Sequence, residues 1–211
     1  VAQTLDYADA PDSAPGTGSG NYRTLLADNG PRHGVGQPVY LGGLRDAEAD
    51  GFNSSAADGD NLDGGAPADE DGLALSLLAL DLTTGTTPAV VLNTNNRGAT
   101  PATLYGWIDY NRDGDFDNAS ERAQLSIPAG TSDGLATLSF PSVPVGSTTG
   151  ATYARFRISS DAAAANPFGA ASDGEVEDHR ARIFDPSDGF VRSRTRQAQA
   201  GAGTFGSALA A

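Results

Sequence analysis

The alternation of hydrophobic and polar residues along the middle of the chain predicts β-strands. In residues 152–159, Ala154, Phe156 and Ile158 would face one side of a sheet, opposite a face that carries two arginines. Residues 103–110 are apolar on both faces, which indicates a central strand. Turn residues separate seven such segments, at 73–82, 89–94, 103–110, 123–127, 136–140, 152–159 and 176–184. This spacing favours an all-β fold, an Ig-like or jelly-roll-type β-sandwich.

The two ends of the chain lack this periodicity. Residues 1–71 are rich in Gly, Asp, Ala and Pro, and we expect an acidic, loop-rich segment that packs on the sandwich. Residues 72–185 would form the sandwich itself, as one domain together with 1–71. Residues 186–211 form a low-complexity tail that carries Arg192, Arg194 and Arg196 against a single acid.

Charge and composition narrow the possible functions. The chain has 27 acidic and 13 basic residues, a net charge of -14, and most of the acids are Asp. Asp favours turns and oxygen-rich metal loops, whereas a strongly acidic chain is a poor binder of nucleic acid or anionic lipid. The absence of Cys excludes disulfides and thiol catalysis. No apolar run is long enough for a membrane span.

Residues 109–117 contain the sharpest chemical motif. They match D-x-[DN]-x-[DN]-G, the beginning of a calcium loop in which alternate side chains converge on one ion and Gly takes the sharp turn. A standard loop ends with Glu at position 12, but here that position is Ser120 and Glu121 follows it. We therefore expect further ligands from Glu121 or from elsewhere in the chain. The alternative is a polar hairpin with solvated carboxylates.

Two further acidic stretches are candidates for binding a cation. Residues 173–179 begin a predicted strand on which Glu175 and Glu177 face one way and Asp178 faces the other, so that one of them could complete the Asp109 site. Salt bridges to Arg155 or Arg157 are the alternative. Residues 46–71 hold nine acids that repel one another unless they are neutralised. The alternative there is a solvated, salt-adapted loop.

The candidate metal ligands fall into two groups. The first group, around the calcium motif, is Asp109, Asn111, Asp113, Asp115, Glu121, Glu175 and Glu177. The second candidate metal cluster is Asp46, Glu48, Asp50, Asp58, Asp60, Asp69 and Asp71. Calcium is the expected cofactor of both groups, because its ligands are hard oxygens. For His33, a structural hydrogen bond is the expected role.

Several short motifs together resemble one known family. They are Asp6 to Ser13, Pro31 to His33, Tyr40 to Gly42, Asp46 to Gly51, Asp69 to Gly72, Tyr105 to Asn111 and Gly174 to Asp178. Their order resembles the GEVED domain of large bacterial surface and secreted proteins, over roughly residues 6–184. The resemblance implies a β-sandwich module of extracellular chains without established catalysis, with the Asp109 loop and residues 174–178 as hallmarks. His179 and Arg112 depart from the usual pattern.

These observations lead to two hypotheses about function. The first is a non-enzymatic, calcium-stabilised extracellular module, a structural or adhesive part of a bacterial surface protein. The second is a self-assembling subunit of a filament or surface layer, in which the tail or the N-terminus docks on an identical subunit. The start at Val1 suggests signal cleavage or excision from a longer chain, and we expect a secreted or cell-surface location. Other surface proteins are further candidate partners.

Overall fold

All of the long regular elements in the described part of the chain are β-strands. The computed structural model describes residues 4–36, 38–45, 47–59, 69–74, 80–117 and 119–188. Within them, the helical elements are short 3-10 turns at Leu26–Asp28, Ala162–Ala165 and Pro186–Asp188. The strands are β1 (Leu5–Tyr7), β2 (Thr17–Gly18), β3 (Asn21–Tyr22), β4 (Arg32–Gly34), β5 (Val39–Leu41), β6 (Asp81–Thr83), β7 (Ala89–Asn96), β8 (Ala102–Ile108), β9 (Arg122–Ile127), β10 (Thr131–Ser139), β11 (Gly150–Ser159), β12 (Ala170–Ala171) and β13 (Glu175–Phe184). The prediction of an all-β fold is confirmed.

Two sheets enclose the main hydrophobic core. One has five strands in the order β6-β13-β11-β8-β9, and the other has three in the order β10-β7-β5. Leu104 and Phe156 from the first sheet and Leu92 and Leu138 from the second belong to one buried cluster. The sheets therefore pack face to face as a β-sandwich, and β8 is paired on both sides as its two apolar faces predicted.

A close approach of the two sheets explains a glycine within β8. Gly106 occupies the core-facing position between Leu104 and Ile108. A Cβ atom there would lie 2.7 Å from the Leu138 side chain and 2.8 Å from the Phe140 ring. The missing side chain leaves room for the edge-to-face contact of Phe140 with Phe156, whose ring centroids are 6.4 Å apart.

The outer face of the five-stranded sheet is also buried. Tyr105 and Trp107 of β8 and Tyr153 of β11 form a second apolar cluster there, together with Tyr22 from the N-terminal segment and Phe116. The covering layer contains the small sheets β1-β4-β12 and β2-β3, in which β12 comes from residues 170–171. The N-terminal residues thus supply most of a third layer over the sandwich.

Side-chain hydrogen bonds hold much of this covering layer in place. Asp12 Oδ2 accepts hydrogen bonds from the amides of Thr24 and Leu25, both at 2.7 Å. The Asn21 amide group accepts from Ser13 N at 2.6 Å and donates to Ala14 O at 2.6 Å. The strands of this segment have only two or three residues each, so these side-chain contacts supply hydrogen bonds that longer strands would make through their backbones.

The predicted strands agree with the observed ones except at some ends. Tyr110 and Phe140 lie beyond the ends of β8 and β10. Strand β10 begins at Thr131, whereas the sequence predicted a start at residue 136. The prediction missed the first residues because a register irregularity between Thr131 and Gly134 interrupts the alternation of side chains. Of the predicted 73–82 strand, only its end coincides with β6, and residues 75–79 lie outside the described part.

We expect Phe156→Ala to lower the free energy of unfolding by about 3–5 kcal/mol, because it leaves a cavity between two closely packed sheets. Phe156 is fully buried, whereas Leu135 on β10 is 73% exposed. Leu135→Ala is the control and should change stability by less than about 0.5 kcal/mol. Urea unfolding followed by Trp107 fluorescence measures both. Equal effects of the two substitutions would contradict this account of the core.

Candidate metal centres

The Asp109 loop begins directly after β8, where the strand leaves the sheet. Asp109 is fully buried, and its carboxylate accepts hydrogen bonds from the Tyr22 hydroxyl at 2.8 Å and from Gly114 N at 3.0 Å. Gly114 has φ +81°, and a Cβ atom there would lie 1.7 Å from the Gly18 carbonyl oxygen. The glycine thus allows the sharp turn that wraps the chain around Asp109.

The rim of the loop consists of exposed oxygen-bearing side chains. Asp113 N donates to Asn111 Oδ1 at 2.9 Å, and Asp115 N donates to Asp113 Oδ1 at 2.9 Å. Asn111, Asp113 and Asp115 face a groove of about 370 Å³. The loop is therefore folded around its alternate side chains while its rim stays open to solvent.

Glu121 lies beside Asp109 at the floor of the loop. Its carboxylate accepts hydrogen bonds from Tyr110 N and Asp117 N, both at 2.8 Å. Burial and the Asp109 charge raise the pKa of Glu121 to about 7, although its backbone hydrogen bonds oppose the shift. Burial likewise raises the pKa of Asp109. Among the described residues, no Arg or His side chain forms an ion pair with either carboxylate.

Glu175 and Glu177 face a different part of the molecule. Leu41 N donates to Glu175 Oε2 at 2.5 Å, and Gly72 N donates to Glu177 Oε1 at 2.9 Å. The ring of His179 contacts the Glu177 carboxylate, with its Nε2 atom 2.9 Å from Glu177 Oε2. Burial raises the pKa of both glutamates.

The sheet register separates this pair of glutamates from the Asp109 loop. Glu177 pairs with Phe156 of β11, whereas Ile108, the residue before Asp109, pairs with Ala154. Strand β11 therefore lies between the two sites. As predicted from the alternation, Glu175 and Glu177 share one face of β13, while Asp178 points to the other.

Asp178 forms a buried ion pair with Arg155 on the outer face of the sheet. Arg155 Nε and Nη2 each donate to the carboxylate at 2.7 Å, and Ala10 N donates to Asp178 Oδ2 at 2.8 Å. Arg155 Nη1 also donates to the Tyr22 and Pro167 carbonyl oxygens, at 3.3 and 2.9 Å. For Asp178, the structure thus shows a salt bridge to Arg155, which the sequence analysis gave as the alternative to metal binding.

His33 has the structural role expected for it. Arg157 Nε donates to His33 Nε2 at 2.8 Å, so Nδ1 carries the proton and donates to the Asp173 carbonyl oxygen at 2.7 Å. Burial and the neighbouring Arg157 charge hold the pKa of His33 well below its usual value. The neutral ring thus connects β4 to β11 and to the segment before β13.

The second acidic stretch divides into two kinds of residue. Asp50, Asp58 and Asp71 accept hydrogen bonds, from Leu26 N at 2.6 Å, Ser54 Oγ at 2.7 Å and Gly43 N at 2.9 Å respectively. Glu48 and Asp69 instead come together with Asp6, and one ligand oxygen from each lies within 4.8 Å of the others. Asp6 was not among the predicted ligands, because it lies more than 40 residues from Glu48 in a stretch without periodicity.

Some predicted residues lie outside the described part of the chain. They are Asp46 and Asp60 of the second cluster and Arg192, Arg194 and Arg196 of the tail. Docking of the tail on a neighbouring subunit stays a prediction.

A comparison with protein-family models finds one match, which covers residues 103–182 and is described as the GEVED domain. The resemblance to the GEVED family is confirmed. The GEVED match runs from β8 to β13 and includes both the Asp109 loop and the Glu175–Asp178 motif. It is shorter than the resemblance over residues 6–184. No curated protein matches the chain.

The described residues include no helix that is long and apolar enough to cross a membrane.

We expect Asp178→Asn to lower the free energy of unfolding by about 3–5 kcal/mol, because it leaves the Arg155 charge buried without its partner. Asp133→Asn is the matched control. Asp133 contacts Arg97 at 3.9 Å on the surface, with 69% of its side chain exposed. The control should change stability by less than about 0.5 kcal/mol. Chemical denaturation measures both, and a small effect at Asp178 would contradict the anchoring role of the pair.

Proposed function

We propose that this chain is a non-enzymatic, calcium-stabilised extracellular β-sandwich module, a structural or adhesive part of a bacterial surface protein. The observation that carries the proposal is the pair of buried carboxylates, Asp109 and Glu121, at the floor of the loop. A cation bound there would offset the repulsion between two charges that burial forces together.

The ligand set favours calcium. Calcium takes six to eight hard oxygen ligands, and the loop offers carboxylate and amide oxygens from Asp109, Asn111, Asp113 and Glu121. The carbonyl of Asp115 occupies the position that supplies a backbone ligand in such loops. The open groove over the rim would let the ion exchange with solvent.

Calcium would stabilise the module by binding only the folded chain. At a free concentration about one hundred times the dissociation constant, this linkage adds about 2.7 kcal/mol to the free energy of unfolding. Such a gain matters for a domain with many loops, because it is a large part of a typical net stability.

The burial of the perturbed acids supports a non-enzymatic role. Asp109, Glu121, Glu175 and Glu177 are each no more than 1% exposed, so a substrate cannot reach them in this conformation. The surface location rests on the GEVED match and on the family's occurrence in secreted chains, and we propose it on that basis.

We expect terbium, a calcium substitute, to luminesce when Trp107 is excited, because this single Trp lies two residues before Asp109. Asp113→Ala should weaken terbium binding at the loop at least about tenfold by removing a charged ligand. Asp133→Ala, an exposed acid outside the loop, is the control. Unchanged binding by the Asp113 variant would contradict the loop site.

We expect the full chain to sediment as a compact monomer in millimolar calcium and to expand in EDTA, because the ion binds only the folded loops. Sedimentation velocity reports both mass and compactness. A compact monomer under both conditions would contradict calcium stabilisation. Large species that form in calcium would favour the self-assembling subunit instead.

A further inference from the structure

A second group of carboxylates lies at the start of the motif strand β13, away from the Asp109 loop. Asp6 comes from β1, and Glu48 and Asp69 come from the connections on either side of residues 60–68. Glu175, the first residue of β13, interacts electrostatically with both Asp6 and Asp69. Three segments that are distant in sequence therefore bring their carboxylates together, and Glu175 lies close enough to interact with two of them.

Backbone amides hold three of these carboxylates in position. Val176 N donates to Asp6 Oδ2 at 2.8 Å, Tyr7 N donates to Glu48 Oε2 at 2.9 Å, and Leu41 N donates to Glu175 Oε2 at 2.5 Å. Each bond fixes the orientation of the carboxylate that accepts it. The group is thus preorganised by the fold.

An independent observation at Glu175 points to a bound ligand. This residue is 1% exposed, and its Oε1 atom has no hydrogen-bond partner among the described residues. A buried carboxylate oxygen in that state requires a compensating interaction. The neighbouring groups are carboxylates, which supply no hydrogen-bond donor when ionised but are suitable ligands for a hard cation.

The spacing suits calcium. Oxygens on opposite sides of one calcium ion are about 5 Å apart, twice the usual metal–oxygen distance. The ligand oxygens of Asp6, Glu48 and Asp69 lie within 4.8 Å of one another, so a single ion can contact all three.

We propose that Asp6, Glu48, Asp69 and Glu175 bind one calcium ion that fastens the N-terminal segment to the first residue of the motif strand. This site shares no ligand with the Asp109 loop and goes beyond the function proposed above. The ion ties β1 to β13 across the edge where the covering layer meets the sandwich.

Amide chemical shifts in the full-length Asp113→Ala variant test the proposal, because this variant leaves the second site intact. After removal of metal by a chelator, calcium should shift the Tyr7 and Val176 amide resonances in a saturable titration. These amides donate to Glu48 and Asp6. The absence of a shift at both amides would overturn the proposal.

Adding Glu175→Gln to the same variant should weaken the calcium response at Tyr7 and Val176 at least about tenfold, because it removes a charged ligand. Asp81→Asn is the control, because Asp81 is an exposed acid on β6 of the same sheet. If circular dichroism shows that Glu175→Gln fails to fold, Glu48→Gln replaces it, since Glu48 is only partly buried. An unchanged response in a folded variant would overturn the proposal.

The same calcium titration of the wild-type chain distinguishes this site from the Asp109 loop. A response at Tyr7 and Val176 without one at Gly114 and Asp115 would support this site and contradict the loop. The reverse pattern would support the loop and overturn this site.

Discussion

The buried ion pair between Arg155 and Asp178 fixes the layer that covers the outer face of the sheet. Its carboxylate receives the Ala10 amide, and its guanidinium donates to the Tyr22 carbonyl. Two points of the N-terminal segment thereby bond directly to strands β11 and β13. Because removing either charge would leave the other buried alone, the covering layer and the sheet depend on each other.

The buried acids of this fold differ in the groups that contact their carboxylates. Asp178 is neutralised by an arginine within the same sheet, on the face that the N-terminal segment covers. Asp109 and Glu121 receive only neutral hydrogen-bond donors from the described residues. Hydrogen bonds stabilise a carboxylate but leave its net charge, and burial raises the pKa of both groups. The calcium ion proposed above would balance this charge.

The sandwich strands could be predicted from the sequence because their side chains alternate between two environments. This two-residue period predicted that Arg155 and Arg157 share one face of β11. It also predicted that Glu175 and Glu177 share one face of β13. The position of Asp6 could not be predicted, because β1 has only three residues and Asp6 contacts β13 through a side-chain-to-backbone bond that follows no period. The sequence also could not show that β11 separates Glu177 from Asp109, since strand order depends on contacts between distant segments.

Strand β13 links the two ends of the described fold. Asp6 bonds to Val176 near its start, while Phe184 at its end lies eight positions further along, about 26 Å away in an extended strand. A pulling force applied between Asp6 and Phe184 would therefore run along β13. Its antiparallel ladder with β11 would be loaded in shear, and many hydrogen bonds would share the load at once, so β13 would be the tension-bearing element of this fold.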